Sequence, residues 1–464
     1  MSSPRAPEVE FACDEGREER SSRWLKRLGL DRPELRAWVL YDWANSAVVT
    51  TIIAAVFPIY FYEVIGSGLP AGVATRRFAL ANTAAMLTLA VVAPGLGAIA
   101  DLMPVKKRLL GFFLAIGAVA AAALFATGPG DWFAALALFT IVSFAISATF
   151  IFYDALLPHL AGPDQMDRVS TTGYAIGYLG GGLLLACNLT WIAHPEWFGL
   201  PHGDELTERE ATLPTRLAFL SAAVWWALFS VPLLLRVKEP AAQWAFDAGQ
   251  VWMRVANQLK AMRKLPRENP NAAWMLAAFL TYNEGIGTII KLAAIYGAEI
   301  GLPTPAMIGS ILIVQFTGIP CTIAFGALAG RIGAKRSIYL GLAVYLLITA
   351  LAYSMRSASH FLLLALLVGA VQGGTQALSR SLFASLMPRE RSAEFFAVFA
   401  LGEKIAGMAG PALFVAVSAV TGSSRHGIAS VLLFFVVGGT LLLKVKTPPI
   451  SVNSSVAAGE PAIN

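Results

Sequence analysis

This sequence predicts an all-α polytopic membrane protein, with twelve transmembrane helices arranged as two six-helix pseudo-repeats. Three observations predict it. Of 464 residues 56% are hydrophobic and only 14% charged, with a mean hydropathy of +0.64, whereas soluble domains carry roughly 25% charged residues. Apolar runs long enough to cross a bilayer recur twelve times along the chain. The first six and the last six share residues at a near-constant offset. A soluble enzyme, a nucleic-acid-binding domain and a disordered scaffold are excluded by the first observation alone.

Residues 1–36 form a charged cytoplasmic tail without the apolar h-region of a cleavable signal, so the first apolar run reads as a signal-anchor span. The runs of the N-terminal half, 37–236, fall at about 37–62, 78–100, 109–127, 132–160, 170–193 and 215–236. Those of the C-terminal half, 272–444, fall at about 272–298, 305–330, 337–355, 360–386, 393–420 and 427–444. Backbone groups have no water partners in hydrocarbon, so each run must be helical. Between the halves, 237–271 is a cytoplasmic linker. Its Trp244, Val251, Trp252, Val255, Leu259 and Met262 recur at helical spacing, with Arg254, Lys260, Arg263 and Lys264 elsewhere. That pattern predicts an amphipathic helix lying on the bilayer surface. Residues 445–464 form a second cytoplasmic tail.

Charge placement sets the orientation. An even number of spans puts both termini on one side, and the segments on that side hold 26 of the 35 Lys and Arg residues. The opposite loops hold 6, namely Arg76, Arg77, Arg209, Arg216, Arg356 and Arg425. The positive-inside rule then predicts that both termini are cytoplasmic. The net charge of +6 is therefore a topology signal, and no nucleic-acid partner is implied.

The repeat is clearest after the second and eighth runs. Gly97-Ala-Ile-Ala-Asp101 leads to Lys106-Lys107-Arg108, and Gly326-Ala-Leu-Ala-Gly330-Arg331 leads to Lys335-Arg336. At an offset of 229, Gly97 meets Gly326 and Lys106 meets Lys335; Leu157-Pro158 meets Met387-Pro388 at 230. Homologous halves of this kind carry a substrate site at their interface near the midplane. Small residues allow close helix approach, and Asp101 is suited to basic groups or helix ends. Gly97, Asp101, Lys106, Lys107, Gly326, Arg331 and Lys335 are thus candidate gating residues. Gly330 stands where the second acid is expected.

Ionisable residues inside spans are costly and so become functional candidates. Glu284 and Lys404 fall near mid-depth at ~1.5 Å rise per residue, and Arg380 falls nearer the inside face. Lys291 is either an interfacial anchor or functional. Asp42 and Asp154, near the inside ends of the first and fourth runs, read as a lock between helices or as substrate contacts. Arg380 and Lys404 together with Glu284 suit a solute carrying both a carboxylate and an amine. Glu284 reads equally as a proton carrier, because burial favours the neutral form of a carboxyl, or as a structural partner of Lys404. Tyr41, Asn45, Tyr282, Asn283, Gln315, Gln372 and Gln376 supply further polar contacts. Gly285 and Gly287, beside Glu284, permit local unwinding or close packing.

Other motifs carry little. Cys13, Cys187 and Cys321 have no metal-ligand or disulfide spacing. Gly177-Tyr-Leu-Gly-Gly-Gly182 follows no strand and reads as helix packing instead of a phosphate loop. No catalytic set, metal or cofactor is expected.

Several stretches resemble one branch of the major facilitator superfamily, the autophagy-related vacuole effluxer family. They are Trp38-Val-Leu-Tyr41-Asp42-Trp43-Ala44-Asn45-Ser46-Ala47, Phe152-Tyr153-Asp154-Ala155-Leu156-Leu157-Pro158, Tyr282-Asn283-Glu284-Gly285-Ile286, Gln372-Gly-Gly-Thr-Gln376-Ala-Leu-Ser-Arg380-Ser381 and Thr421-Gly-Ser-Ser-Arg425. The resemblance runs from about residue 36 to 444 and implies the major facilitator fold, with the first, fourth, seventh and tenth helices lining the cavity. It also implies amino-acid efflux, with Glu284 in place of an aspartate. The expected protein is a monomeric secondary transporter of small solutes, amino acids or related zwitterions, with the bilayer and protons as its other partners. A drug or lipid exporter is the alternative within the superfamily. A membrane enzyme pairing His159 with Asp154, or a channel, stands outside it.

Overall fold

The computed structural model describes residues 25–70, 73–203, 205–239, 264–299, 304–407 and 409–447, with positions 253 and 256 between them. The predicted linker helix and both tails lie largely outside these residues. Among the described residues the chain is helical throughout, without strands. Among the described residues, ten helical stretches are long and apolar enough to cross a membrane.

In the N-terminal half, α1 (Pro33–Val48) continues through a π-helical segment, Val49–Ala55, a short helix and a second π segment to Ile65. Proline has no amide proton and its ring crowds the carbonyl four residues back. Pro58, placed where Ala54 would pair with it, accounts for the widened turns just before it. The predicted first run, 37–62, is thus longer and less regular than its hydropathy suggests. Next come α2 (Val73–Leu102), α3 (Lys106–Ala123), α4 (Trp132–Leu160), α5 (Pro163–Ala193) and α6 (Leu213–Arg236).

The C-terminal half comprises α7 (Pro270–Glu299), α8 (Thr304–Ile332), α9 (Ala334–Tyr353) and α10 (Ala358–Leu386), then α11 (Ser392–Ala406), α12 (Ala409–Thr421) and α13 (Leu432–Leu443). The predicted eleventh run, 393–420, is two helices in the structure. Pro411 would collide with the carbonyl of Gly407, and Gly407 itself, just past the end of α11, resists helix formation, so α11 stops and α12 starts afresh. By contrast α7 runs unbroken past Gly285 and Gly287, where unwinding was one expectation; Gly285 packs against Phe435 instead. Gly333, at φ +88°, turns the chain from α8 into α9 in one residue.

Inside each half the helices pack as a bundle, with α1 against α5 and α6, α3 against α4, α8 against α10, and α7 against α13. Between halves α2 meets α11 and α8 meets α5, which are equivalent pairings under the repeat. Lipid tails are as apolar as the side chains, so association within a bilayer depends on close packing. The α1–α5 seam follows that rule, since a β-carbon at Gly180 would lie 2.5 Å from the Trp43 carbonyl oxygen. Gly180→Ala is therefore expected to destabilise the protein by about 1–3 kcal/mol through overpacking. Gly287→Ala, with open space around it, serves as the control. A thermal unfolding series in detergent, with midpoints for both variants, checks this; equal midpoints would refute the tight seam.

Candidate functional site

A buried cation links the two halves. Arg380 on α10 is 2% exposed and sends its guanidinium out of its own half. Nη1 donates to Asp154 Oδ1 at 3.2 Å, and Nη2 to Asp42 Oδ2 at 3.3 Å and the Ser170 carbonyl at 3.1 Å. Nε donates to Ser170 Oγ at 2.9 Å. The guanidinium carbon lies 4.5 Å from the Tyr174 ring centroid and 4.9 Å from that of Trp38. Four helices thus converge on a single side chain.

Local sequence explains the convergence. Trp38 and Asp42 are one turn apart on α1, so they share a face. Trp38 stacks on Tyr153 with centroids 4.4 Å apart and donates its indole N–H to the Tyr153 carbonyl at 3.0 Å. This contact holds α1 against α4 and sets Asp42 beside Asp154. On α5, Asp167, Ser170 and Tyr174 recur at helical spacing and face α10. Ser381 Oγ donates to Asp167 Oδ1 at 2.5 Å and Ser170 Oγ to the Ala377 carbonyl at 2.8 Å. The bond to the Asp167 carboxylate is of the charge-assisted kind, the stronger of the two in a water-poor interior.

A second cluster lies at the end that carries the basic loops. Asp101, at the end of α2, accepts from Lys106 Nζ at 2.8 Å and from the backbone amides of Ala393 and Glu394 at 3.0 and 2.7 Å. Those amides open α11, so the carboxylate meets the positive end of a helix in the other half. Gly97, one turn earlier, allows the approach, since a β-carbon there would meet the Ala393 carbonyl. In the second copy Gly326 faces Thr171 on α5, while Gly330 has open space around it and supplies no charge. Lys107 and Lys335 play matching parts. Lys107 Nζ donates to the Leu234 carbonyl at 2.9 Å, and Lys335 Nζ to those of Leu443 and Val445 at 3.1 and 2.7 Å. Each ties off the last helix of its half. By role, then, Lys335 corresponds to Lys107, one residue away from its sequence match Lys106. Arg331 is exposed. His159 pairs with Ser392 Oγ at 3.2 Å, and the carboxylate that the enzyme reading gave it, Asp154, is engaged by Arg380.

The remaining candidates lie on α7 and its neighbours. Tyr282 and Ser379 share a hydroxyl–hydroxyl bond of 2.5 Å, and Gln376 Nε2 donates to Asn283 Oδ1 at 3.1 Å. Asn283, Gln372 and Gln376 are half-buried. Glu284, 5% exposed, accepts from the Gly410 amide at 2.5 Å. Gln315 on α8 donates to Thr50 Oγ1 at 2.8 Å, a further link between halves. Tyr41 and Asn45 are fully buried, and neither the Tyr41 hydroxyl nor the Asn45 amide has a hydrogen-bond partner among the described residues. The side chains of Lys291 and Lys404 lie outside what the structure describes.

Arg380 and Glu284 therefore face different ways. The sequence places them as joint receptors for one zwitterion; in this conformation Arg380 is taken up by two carboxylates from the opposite half, and Glu284 turns to α12. Asp167, Ser170 and Tyr174 were not picked out from the sequence, and Trp38 only as part of a family-like stretch, although Trp38 and Asp42 at i and i+4 and the 167/170/174 spacing are legible signals.

A family model described as vacuole effluxer Atg22 like matches residues 69–449. An uncharacterized MFS-type transporter, YxiO, of Bacillus subtilis is 31% identical over 88% of this chain and 93% of its own length. Autophagy-related protein 22 of Cryptococcus neoformans is 26% identical over 58% of this chain, which spans about half (51%) of that protein. Among solved structures, the major facilitator superfamily transporter FucP in its outward conformation superposes with a TM-score of 0.66 at 13% identity, covering 91% of this chain and 100% of that one.

Removing Arg380 would leave two buried carboxylates facing each other. Arg380→Gln is expected to cost about 3–5 kcal/mol of stability, as for other broken buried pairs. The triple variant Arg380→Gln, Asp42→Asn, Asp154→Asn should regain part of the loss. Unfolding midpoints in detergent measure both, and a triple variant no more stable than the single one would refute the pairing.

Proposed function

From the premise that the chain belongs to the Atg22-like vacuole effluxer family and has an MFS-type transporter as a relative at 31% identity, we propose that it is a proton-linked secondary transporter of small zwitterions, most simply amino acids. The observation that carries the reading is the buried Arg380–Asp42–Asp154 network between the halves. An ion pair across two rigid bundles has discrete made and broken states, which alternating access requires. We place the basic-loop end in the cytoplasm of a bacterial cell, with both termini there, on the charge asymmetry of the loops. The half-units 37–236 and 272–444 are the moving bodies, joined by the cytoplasmic linker, and the monomer suffices. With the basic-loop end held by Asp101 on α11 and by Arg380, the conformation described is the one closed to that side.

Within this scheme Arg380 acts as the lock, and Asp42 and Asp154 are its keepers. Half-buried Asn283, Gln372 and Gln376 offer amide contacts to a solute, and Glu284 carries the coupling proton. Substrate entry on the opposite side draws the halves together there and loosens the network.

Labelled leucine and tyrosine, offered to proteoliposomes containing the purified protein, should enter saturably and faster under an imposed pH gradient. Glu284→Gln should keep exchange of internal for external substrate but lose the response to the gradient. A variant that responds like the parent would overturn the coupling role, and absence of any saturable uptake would overturn the substrate class.

A further inference from the structure

The break between α11 and α12 gives this protein a helix N-terminus deep within the eleventh crossing. A chain that continued as one helix would pair these amides internally; Pro411 prevents it, so the first-turn donors of α12 are released. The end of a thirteen-residue helix also carries about half a positive charge. What occupies it now is a carboxylate of the protein itself, Glu284, whose Oε1 accepts from Gly410 at 2.5 Å.

A second donor stands beside the first. Thr288 lies one turn beyond Glu284 on the same face of α7 and is 1% exposed. Its hydroxyl has no hydrogen-bond partner among the described residues. It is nonetheless aimed at the helix end, since a β-carbon added to Gly410 would meet Thr288 Oγ1 first and Glu284 Oε1 next, at 2.7 Å. A buried hydroxyl without a partner is expensive, on the order of 1–3 kcal/mol, and the expense is understandable where a ligand completes the bond. The backbone amide and the helix end offer a donor and positive potential, and the Thr288 hydroxyl is free to donate beside them. That is the chemistry of an anion receptor.

We propose that the N-terminus of α12, with the Gly410 amide and the Thr288 hydroxyl, is the subsite for the carboxylate of the transported solute, held by Glu284 as an internal substitute until the solute displaces it. This rests on the reading of the substrate as a zwitterion. One oxygen of the solute carboxylate takes the Gly410 N–H and the other takes the Thr288 O–H. Because the two carboxylates compete for one set of donors, Glu284 sets the affinity. The absence of a side chain at Gly410 is a requirement of the site, since a methyl group there would overlap the Thr288 hydroxyl and crowd Glu284 Oε1.

Three probes separate the two readings on the purified full-length protein: L-leucine, 4-methylpentanoate, which keeps only the carboxylate, and leucinamide, which lacks it. Binding is read by titration calorimetry and by the rise in unfolding midpoint that ligands produce by mass action. Leucine and 4-methylpentanoate should bind, and leucinamide should not. Thr288→Val should weaken both carboxylates about 5-fold, the equivalent of one hydrogen bond, while its ligand-free midpoint stays near the parent's. Glu284→Gln should tighten them, and Gly410→Ala should abolish binding. Leucine bound as tightly by Thr288→Val and Glu284→Gln as by the parent would overturn the subsite and leave the zwitterion reading standing. Thr288-dependent binding of 4-methylpentanoate without binding of leucine would keep the subsite and overturn the zwitterion reading. A protein that binds neither carboxylate overturns both.

Discussion

Arg380 is the side chain on which the arrangement of the two halves depends. A guanidinium in a membrane interior is tolerable only when its donors are used and its charge is matched. Here the partners come entirely from the other half, as Asp42 on α1, Asp154 on α4 and Ser170 on α5. The aromatic faces of Trp38 and Tyr174 take the remaining surface. Separating the halves at this level would take from Arg380 both its carboxylates and from each carboxylate its buried counter-charge, so the interface is either made or broken, with little between. Steep energetics of this kind produce two states in place of a continuum.

The repeat explains where the lock is reinforced. The α2–α11 and α8–α5 contacts are equivalents, and each is made close by a glycine, Gly97 or Gly326. Only the first is electrostatic: Asp101 meets the amide end of α11, whereas Gly330 leaves its counterpart without charge. The second contact is served by Ser381 and Asp167, one helix away. A symmetric ancestor with two identical latches would be opened by breaking both. In the present chain only the α2–α11 contact keeps an acid at the loop position, and Arg380 has no counterpart in the N-terminal half.

Much of this was legible in the sequence, for physical reasons. Spans declare themselves because hydrocarbon forces every backbone group into a helix, and the repeat survives in residues with no alternative, such as Gly97 and Gly326. Asp42, Asp154 and Arg380 stood out because charge in a span must be used. Their pairing was not legible, since depth along an axis says nothing about which way a side chain faces. Arg380 and Glu284 are a clear instance: neighbouring residues Ser379 and Tyr282 bond to each other, yet the two charged groups diverge. The split of the eleventh run was hidden because hydropathy averages over Gly407 and Pro411, whose effect is on backbone donors. Ser170 and Tyr174 were missed because neither carries a charge, although their spacing with Asp167 marks one helix face.

The most direct measurement is of distance between the halves. Spin labels on exposed positions at the basic-loop end, Pro104 in one half and Arg389 in the other, report on the lock once the native cysteines are replaced. Electron–electron double resonance should give one short, narrow distribution for the parent. Arg380→Ala should add a second, longer population at that end. If the distribution for Arg380→Ala is indistinguishable from the parent's while the variant remains folded, Arg380 is not what holds the halves together.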